Sequence, residues 1–250
     1  MFLDKIHGII ERRILLNYRI DPEVLQAFLP SQFRLKLYNG YGIGGICMIR
    51  FREIRPQLIP AWMGVSSENA AHRIAVEWDQ DGVTKEGVYI PRRDTNSGFN
   101  SMLGGKVFPG IFNRSQFISE DEGDSYKLKI VRHDGSEQVR FAGRISDQLP
   151  TTSVFPSLQH ASDFFTLGST GYSATHAEDR YHGMELHCLE WNIVPMEIEE
   201  AYSYFYDDQT KFPEGTATLD SALIMRNIAH EWHSRPNLQT ASSGTGFSCC

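Results

Sequence analysis

Nine histidines and four cysteines are the residues of this chain best suited to hold a metal or attack a carbonyl. His230-Glu-Trp-His233 spaces two imidazoles three residues apart, which on a helix brings both to one side. Zinc peptidases use a spacing of four, and at a helix C-terminus the same imidazoles would answer the last carbonyls and the negative end of the dipole. His176, His182 and His187 show no ligand spacing. Cys47 and Cys188 each sit in an apolar run, where a thiol behaves as a small buried hydrophobe. Cys249 and Cys250 close a small-residue tail, 241–250, that is expected to be flexible and to expose its thiols. Ser66, Ser67, Ser97 and Ser101 lie in polar or glycine-bearing loops without the Gly-x-Ser-x-Gly elbow of a hydrolase. Gly40-Tyr-Gly-Ile-Gly-Gly45 is followed by an apolar strand rather than a helix, so it reads as a turn with close packing and not as a phosphate loop.

The elements that must position these residues are mostly strands. Arg12 to Ile20 predicts a strand entering Asp21-Pro22-Glu23, where Asp21 caps a short helix and Pro22 takes its first position. Pro30 ends that helix, and Phe33 to Tyr38 alternates like a half-buried strand. Ile46 to Ile54 predicts a central strand that reaches solvent. Ala71 to Trp78 and Gly87 to Arg93 form a hairpin across Asp81-Gly82, and Tyr126 to Val131 pairs with Gln138 to Ile145 across His133-Asp134-Gly135. Ser157 to Phe165 predicts a short helix, and Met184 to Val194 a long strand ended by Pro195. From Thr218 to Trp232 the apolar residues recur near helical spacing, which predicts a C-terminal helix. Tyr202, Tyr204, Phe205 and Tyr206 fit a core strand, with a pocket lid or a subunit contact as alternatives.

A chain of 250 residues with 41% hydrophobic and 12% aromatic composition has enough apolar surface to fold around a core. We expect one domain over residues 1–240. The formal charge of −7 repels a phosphate backbone, so nucleic acid is not an expected partner. No apolar run is long enough to span a bilayer, and Asp4 interrupts what a signal peptide would keep apolar. The expected compartment is the cytoplasm, with no membrane partner.

Tyr18-Arg-Ile-Asp-Pro-Glu-Val-Leu-Gln-Ala-Phe-Leu-Pro30 resembles the N-terminal signature of acetoacetate decarboxylases, a strand followed by Asp-x-x-x-Leu on a short helix and a proline. Gly105-Lys-Val-Phe-Pro-Gly-Ile-Phe-Asn-Arg114 falls where that family carries Gly-Arg-Glu, a spacer, and Tyr/Phe-Pro-Lys-Lys. The C-terminal helix also falls where the family has one. The likeness spans nearly the whole chain in order of elements and is most similar to an uncharacterised branch of the superfamily. It implies a β-dominated α+β fold, a cone-shaped antiparallel β-barrel with flanking strands and a few short helices. It also implies a small pocket, a homo-oligomer and no cofactor.

The resemblance implies a departure in chemistry. The decarboxylases form a Schiff base through the first lysine of Pro-Lys-Lys, and here those places hold Asn113 and Arg114. An amide nitrogen is not nucleophilic and a guanidinium stays protonated, so neither makes an imine. Lys106, seven places earlier, is the nearest substitute and otherwise a surface or ion-paired lysine. Lys127 and Lys129 lie on the polar side of a strand, and Lys5, Lys36, Lys85 and Lys211 in exposed segments. Glu68 matches the family's active-site glutamate. Arg12 is one place out of register with the arginine that binds the substrate carboxylate; one step along a strand reverses the side chain, so Arg12 and Arg13 are both candidates. The implied ligand is a small carboxylate or carbonyl metabolite. Glu68 would be the acid/base, Arg12, Arg13 or Lys106 the anchor, and Asn113 and Arg114 the donors to an enolate in a lyase or hydratase reaction. The alternatives are a Glu68 to arginine ion pair that only holds strands together, and a non-catalytic ligand-binding or assembly protein that keeps the fold.

Overall fold

A computed structural model describes residues 5–56, 58–97, 110–176 and 180–239. Lys106 and its neighbours Gly105 to Pro109, Ser101, and the 241–250 tail with Cys249 and Cys250 lie outside the described residues. The chain is strand-dominated. In order it forms β1 (Lys5–Ile20), α1 (Pro22–Gln26), β2 (Arg34–Leu35), β3 (Leu37–Tyr38), β4 (Tyr41–Pro56), β5 (Val65–Gln80), β6 (Val83–Thr95), β7 (Phe112–Glu122), β8 (Ser125–Arg132) and β9 (Glu137–Ile145). Then follow α2 (Leu158–Thr166), β10 (Thr170–Ala174), β11 (Arg180–Cys188), β12 (Val194–Ser203) and β13 (Ala217–Gln239). Among the described residues the longest helix, α2, has nine residues, and no helix is long and apolar enough to cross a membrane.

Among the described residues the strands join one 13-stranded sheet, ordered β11-β10-β6-β7-β8-β9-β12-β13-β1-β4-β5-β2, with β3 on β4. Two further pairings, β5 with β6 and β11 with β13, bring the path back on itself. One circuit runs through β7, β8, β9 and β12, the other through β10 and β11, and both share β6, β5, β4, β1 and β13. Most neighbours are antiparallel, whereas β6 runs parallel to β7 and to β10.

The shared strands are covered on both faces. Ile14, Leu16 and Tyr18 of β1 join Met48, Ile74, Leu128, Phe141 and Ile224 in one core. Leu15 of the same strand turns the other way, to Ile49, Phe155, Phe165, Leu186, Leu223 and Met225 in a second core roofed by α2. Close approach between strands is set by glycine: a Cβ at Gly45 would lie 2.3 Å from the Leu16 carbonyl oxygen. Tyr206 is buried beside it, accepting from the Gly45 N–H at 2.9 Å and donating to the Arg73 carbonyl at 2.9 Å. The turn ahead of β4 needs positive φ at Asn39 and Gly40.

Both hairpins, the Asp21-capped α1 and the Ser157-capped α2 match the sequence expectation. Tyr204, Phe205 and Tyr206 follow β12 in a turn rather than continuing a core strand, and Ser66 and Ser67 lie in β5 rather than in a loop; three expected elements also differ. The predicted C-terminal helix is the long strand β13, paired with β1, β11 and β12. Because β13 is covered on both sides, Ser221 to Met225 are all buried and give a continuous run, which periodicity alone cannot tell from a helix. Asn227, at φ 53°, then bends the strand. His230 and His233 therefore lie on opposite faces of a strand. Met184 to Val194 is not one strand: β11 stops at Cys188, Leu189 is exposed, and β12 opens at Val194 with Pro195 inside it. Phe33 to Tyr38 supplies two short strands rather than one.

Candidate functional site

The alternation of β1 separates Arg12 from Arg13. Arg12 is fully buried and belongs to a charge cluster made by adjacent strand positions, since Arg12 pairs with Arg50 and Arg50 with Glu68 in register. Nη2 of Arg12 donates to both Glu68 carboxylate oxygens at 2.9 and 2.8 Å, and Nη1 to Asp121 at 2.6 Å. Arg50 donates to the same two carboxylates at 2.6 and 2.8 Å and to Ser119 Oγ at 2.7 Å. Two guanidiniums thus face Glu68 and Asp121, with Glu11 3.6 Å from Arg50, and β1, β4, β5 and β7 are tied at this point by charge-assisted bonds. Glu68 Oε1 also accepts from Ser119 Oγ at 3.2 Å.

Arg13 points to the other face, into a cavity of about 100 Å³, several times what one water requires. Arg13, Arg73 and Arg93 all line it, together with Cys47, Ser67, Asn69 and Lys36. Its apolar wall includes Phe112, Phe164, Phe165, Met184 and Trp232. The register explains the convergence. Leu15, Cys47, Ala71 and Arg93 form one rung across β1, β4, β5 and β6; Arg13 lies one rung to one side and Arg73 one rung to the other. Small residues at Ala71, Ala75, Gly87 and Gly171 leave the space open.

Each cavity arginine is held by neutral groups. Arg13 donates to Cys47 Sγ at 3.3 Å and Met225 Sδ at 3.8 Å, and lies 5.7 Å from the Trp191 ring. Arg73 donates to Asn17 Oδ1, lies 4.8 Å from the Phe165 ring, and leaves its Nε without a partner. Arg93 donates to Ser173 Oγ at 3.0 Å and lies 5.6 Å from the Phe112 ring. No ion pair joins any of the three to a carboxylate among the described residues, whereas Arg12, Arg50 and Arg92 all have one. Burial lowers Arg73 and Arg93 to about 10, which leaves both charged at neutral pH. Burial pushes the Cys188 thiol up, with Arg13 opposing it.

The remaining sequence candidates separate. Asn113 donates to the Arg93 carbonyl oxygen at 3.0 Å and so braces β6 from β7. Arg114 is exposed and does not line the cavity. Lys36, expected in an exposed segment, instead lines the cavity, with its ammonium 2.5 Å from Glu86 and 4.5 Å from the Phe164 ring. Lys36 lies between β2 and β3, outside both strands. Arg73 and Arg93 went unnoticed in the sequence. The signal available for Arg73 was Ala71-His-Arg-Ile-Ala75, a charged residue between two alanines on one strand face. Among the described residues no group of three or more His, Cys, Asp or Glu is arranged to hold a metal ion.

Solved structures share this fold. Acetoacetate decarboxylase from Legionella pneumophila subsp. pneumophila str. Philadelphia 1 is similar at TM-score 0.64 and 9% identity, over 94% of this chain and 87% of that one. An acetoacetate decarboxylase-like enzyme from Sphingomonas wittichii RW1 is similar at TM-score 0.58 and 12% identity, over 95% and 93%. The enduracididine biosynthesis enzyme MppR, complexed with pyruvate, is similar at TM-score 0.57 and 10% identity, over 95% and 90%. At these identities the likeness is one of fold, the acetoacetate decarboxylase-like fold. No functionally curated protein matches the sequence. The family model for DUF2071, described as "uncharacterized conserved protein", matches residues 10–221, and the chain belongs to that family.

Proposed function

We propose that the cavity beside Arg13 binds a small carboxylate metabolite that also carries a carbonyl group. One observation carries this reading: three guanidiniums without carboxylate partners among the described residues line one cavity. An unpaired charge held away from water is unfavourable by several kcal/mol, and a bound carboxylate relieves it through forked N–H bonds. In this reading Arg13 is the anchor, and Arg12 and Glu68 brace the sheet. Lys36, the one lysine among the described lining residues, is ion-paired with Glu86, so in this reading turnover is of the lyase type without an imine: a guanidinium stabilises the oxygen on which enolate charge develops.

A second reading, ligand binding without turnover, is favoured by the cavity wall itself. Its described residues include no carboxylate and no imidazole, so proton transfer would fall to Cys47 or to Lys36. Calorimetric titration with pyruvate and acetoacetate, followed by borohydride reduction, tests both. Saturable binding with unchanged protein mass is expected; no binding contradicts the reading of the cavity, and a reduced adduct on any lysine contradicts the exclusion of an imine.

We also propose that the chain works in the cytoplasm, where Cys47 and Cys188, free thiols in this structure, stay reduced. Its self-association surface is the loop carrying Leu58, Trp62 and Met63, all exposed.

A further inference from the structure

We infer that the ligand of this cavity carries two anionic groups bound at once, one toward Arg13 and one toward Arg73, with Arg93 between them: a short dicarboxylate rather than a monocarboxylate. The inference rests on the cavity being the ligand chamber and adds the ligand's charge and shape. The wall's charge is the first argument. Lys36 is neutralised by Glu86, while Arg13, Arg73 and Arg93 stand uncompensated among the described residues. A monoanion would leave two positive charges in a largely apolar chamber; a dianion leaves one.

The spacing is the second argument. Arg13 aligns through Ile49 with Asn69, four residues before Arg73 on β5. At about 3.3 Å per residue, the two arginines start roughly 13 Å apart along the strands, on opposite sides of the Cys47–Ala71 rung. Arg93 stands on that rung. A single carboxylate can be forked by one guanidinium and touched by a second, which leaves the far end of this row without an anionic partner. An extended molecule of four or five carbons with an acid at each end can, and its methylenes would lie over Ala71 and against Phe165. Arg73 supports the assignment independently, because its residue is 6% exposed and its Nε has no partner.

The test is a matched titration of the wild-type chain. Succinate and 2-oxoglutarate are compared with butyrate and 2-oxobutyrate by calorimetry at fixed ionic strength. We expect the dicarboxylates to bind at least about tenfold more tightly, the scale of one additional charge-assisted contact. We expect Arg73→Met to abolish that preference, bringing the ratio of dicarboxylate to monocarboxylate affinity to within about twofold of one. Equal affinity for the two sets overturns the dianion while leaving the cavity assignment standing. Absence of binding by all four overturns both. The wild-type comparison needs no variant, so a misfolded Arg73→Met does not remove the test, and Arg73→Lys serves as the milder replacement.

Discussion

Arg13 donates its Nε–H to the sulfur of Cys47 at 3.3 Å, on the strand face opposite to the one used by Arg12. That contact sets a thiol on the central rung of the cavity, with Arg13 on one side, Arg73 on the other and Arg93 beyond Ala71. The consequence is a strongly positive chamber around a nucleophilic atom.

A negatively charged alkylating reagent should therefore be drawn to Cys47. We expect the ratio of iodoacetate to iodoacetamide rates at Cys47, read by peptide mass spectrometry, to exceed that of a free model thiol by about tenfold or more, with the excess falling as salt rises. Succinate should protect the site. A ratio equal to that of the model thiol would count against the positive chamber.

Glu68 should matter for stability rather than for binding. Glu68→Gln leaves buried Arg12 with Asp121 as its one carboxylate, which it shares with Arg50, itself also paired with Glu11. Removing one partner of such a pair typically destabilises by about 3–5 kcal/mol. Urea unfolding should show that loss, while the affinity for a small carboxylate changes less than about twofold. The paired variant Arg12→Met with Glu68→Leu should recover much of the stability, since apolar packing often replaces a buried ion pair at no net loss.

Arg73 should show the opposite trade. Arg73→Met removes an enclosed charge with a partnerless Nε, so the ligand-free protein should be as stable as wild type or more so by about 1–2 kcal/mol. Dicarboxylate affinity should fall. Loss of stability together with unchanged affinity would mean that Arg73 braces Asn17 and has no ligand role.

Acid should weaken the fold through two histidines. Burial lowers His72 and His230 to about 4, with Asp94 opposing the shift at His72 and Arg13 adding to it at His230. Between the ordinary histidine value near 6.5 and about 4, the unfolded chain binds more protons than the folded one, so stability is complete above pH 6.5 and is lost as pH falls toward 4. The expected loss is roughly 3 kcal/mol for each imidazole. His72→Phe should flatten the profile in that window, and an unchanged profile would contradict a neutral buried imidazole.

The hairpins and the capped helices were legible because their signals are local: Asp81-Gly82 fixes a turn, and Ser157 caps α2 whatever surrounds it. β13 was not legible, because a strand buried on both faces loses the alternation that marks strands. The site was half legible. The step from Arg12 to Arg13 was recognisable as a change of face, but which face held the cavity depended on strands far away in sequence. Arg73 and Arg93 become neighbours only through the register of β5 and β6, which no spacing within either segment displays. Lys36 looked exposed because β2 and β3 are too short to show their own pattern.

The central claim is that the chamber on the Arg13 face, and not the Arg12–Glu68 cluster, receives the ligand. Calorimetric titration of 2-oxoglutarate into Arg13→Met and into the Arg12→Met/Glu68→Leu pair, each verified as folded, tests it most directly. The account predicts that Arg13→Met loses binding while the paired variant keeps the wild-type affinity within about twofold. Retained binding in Arg13→Met, or loss confined to the paired variant, would contradict it.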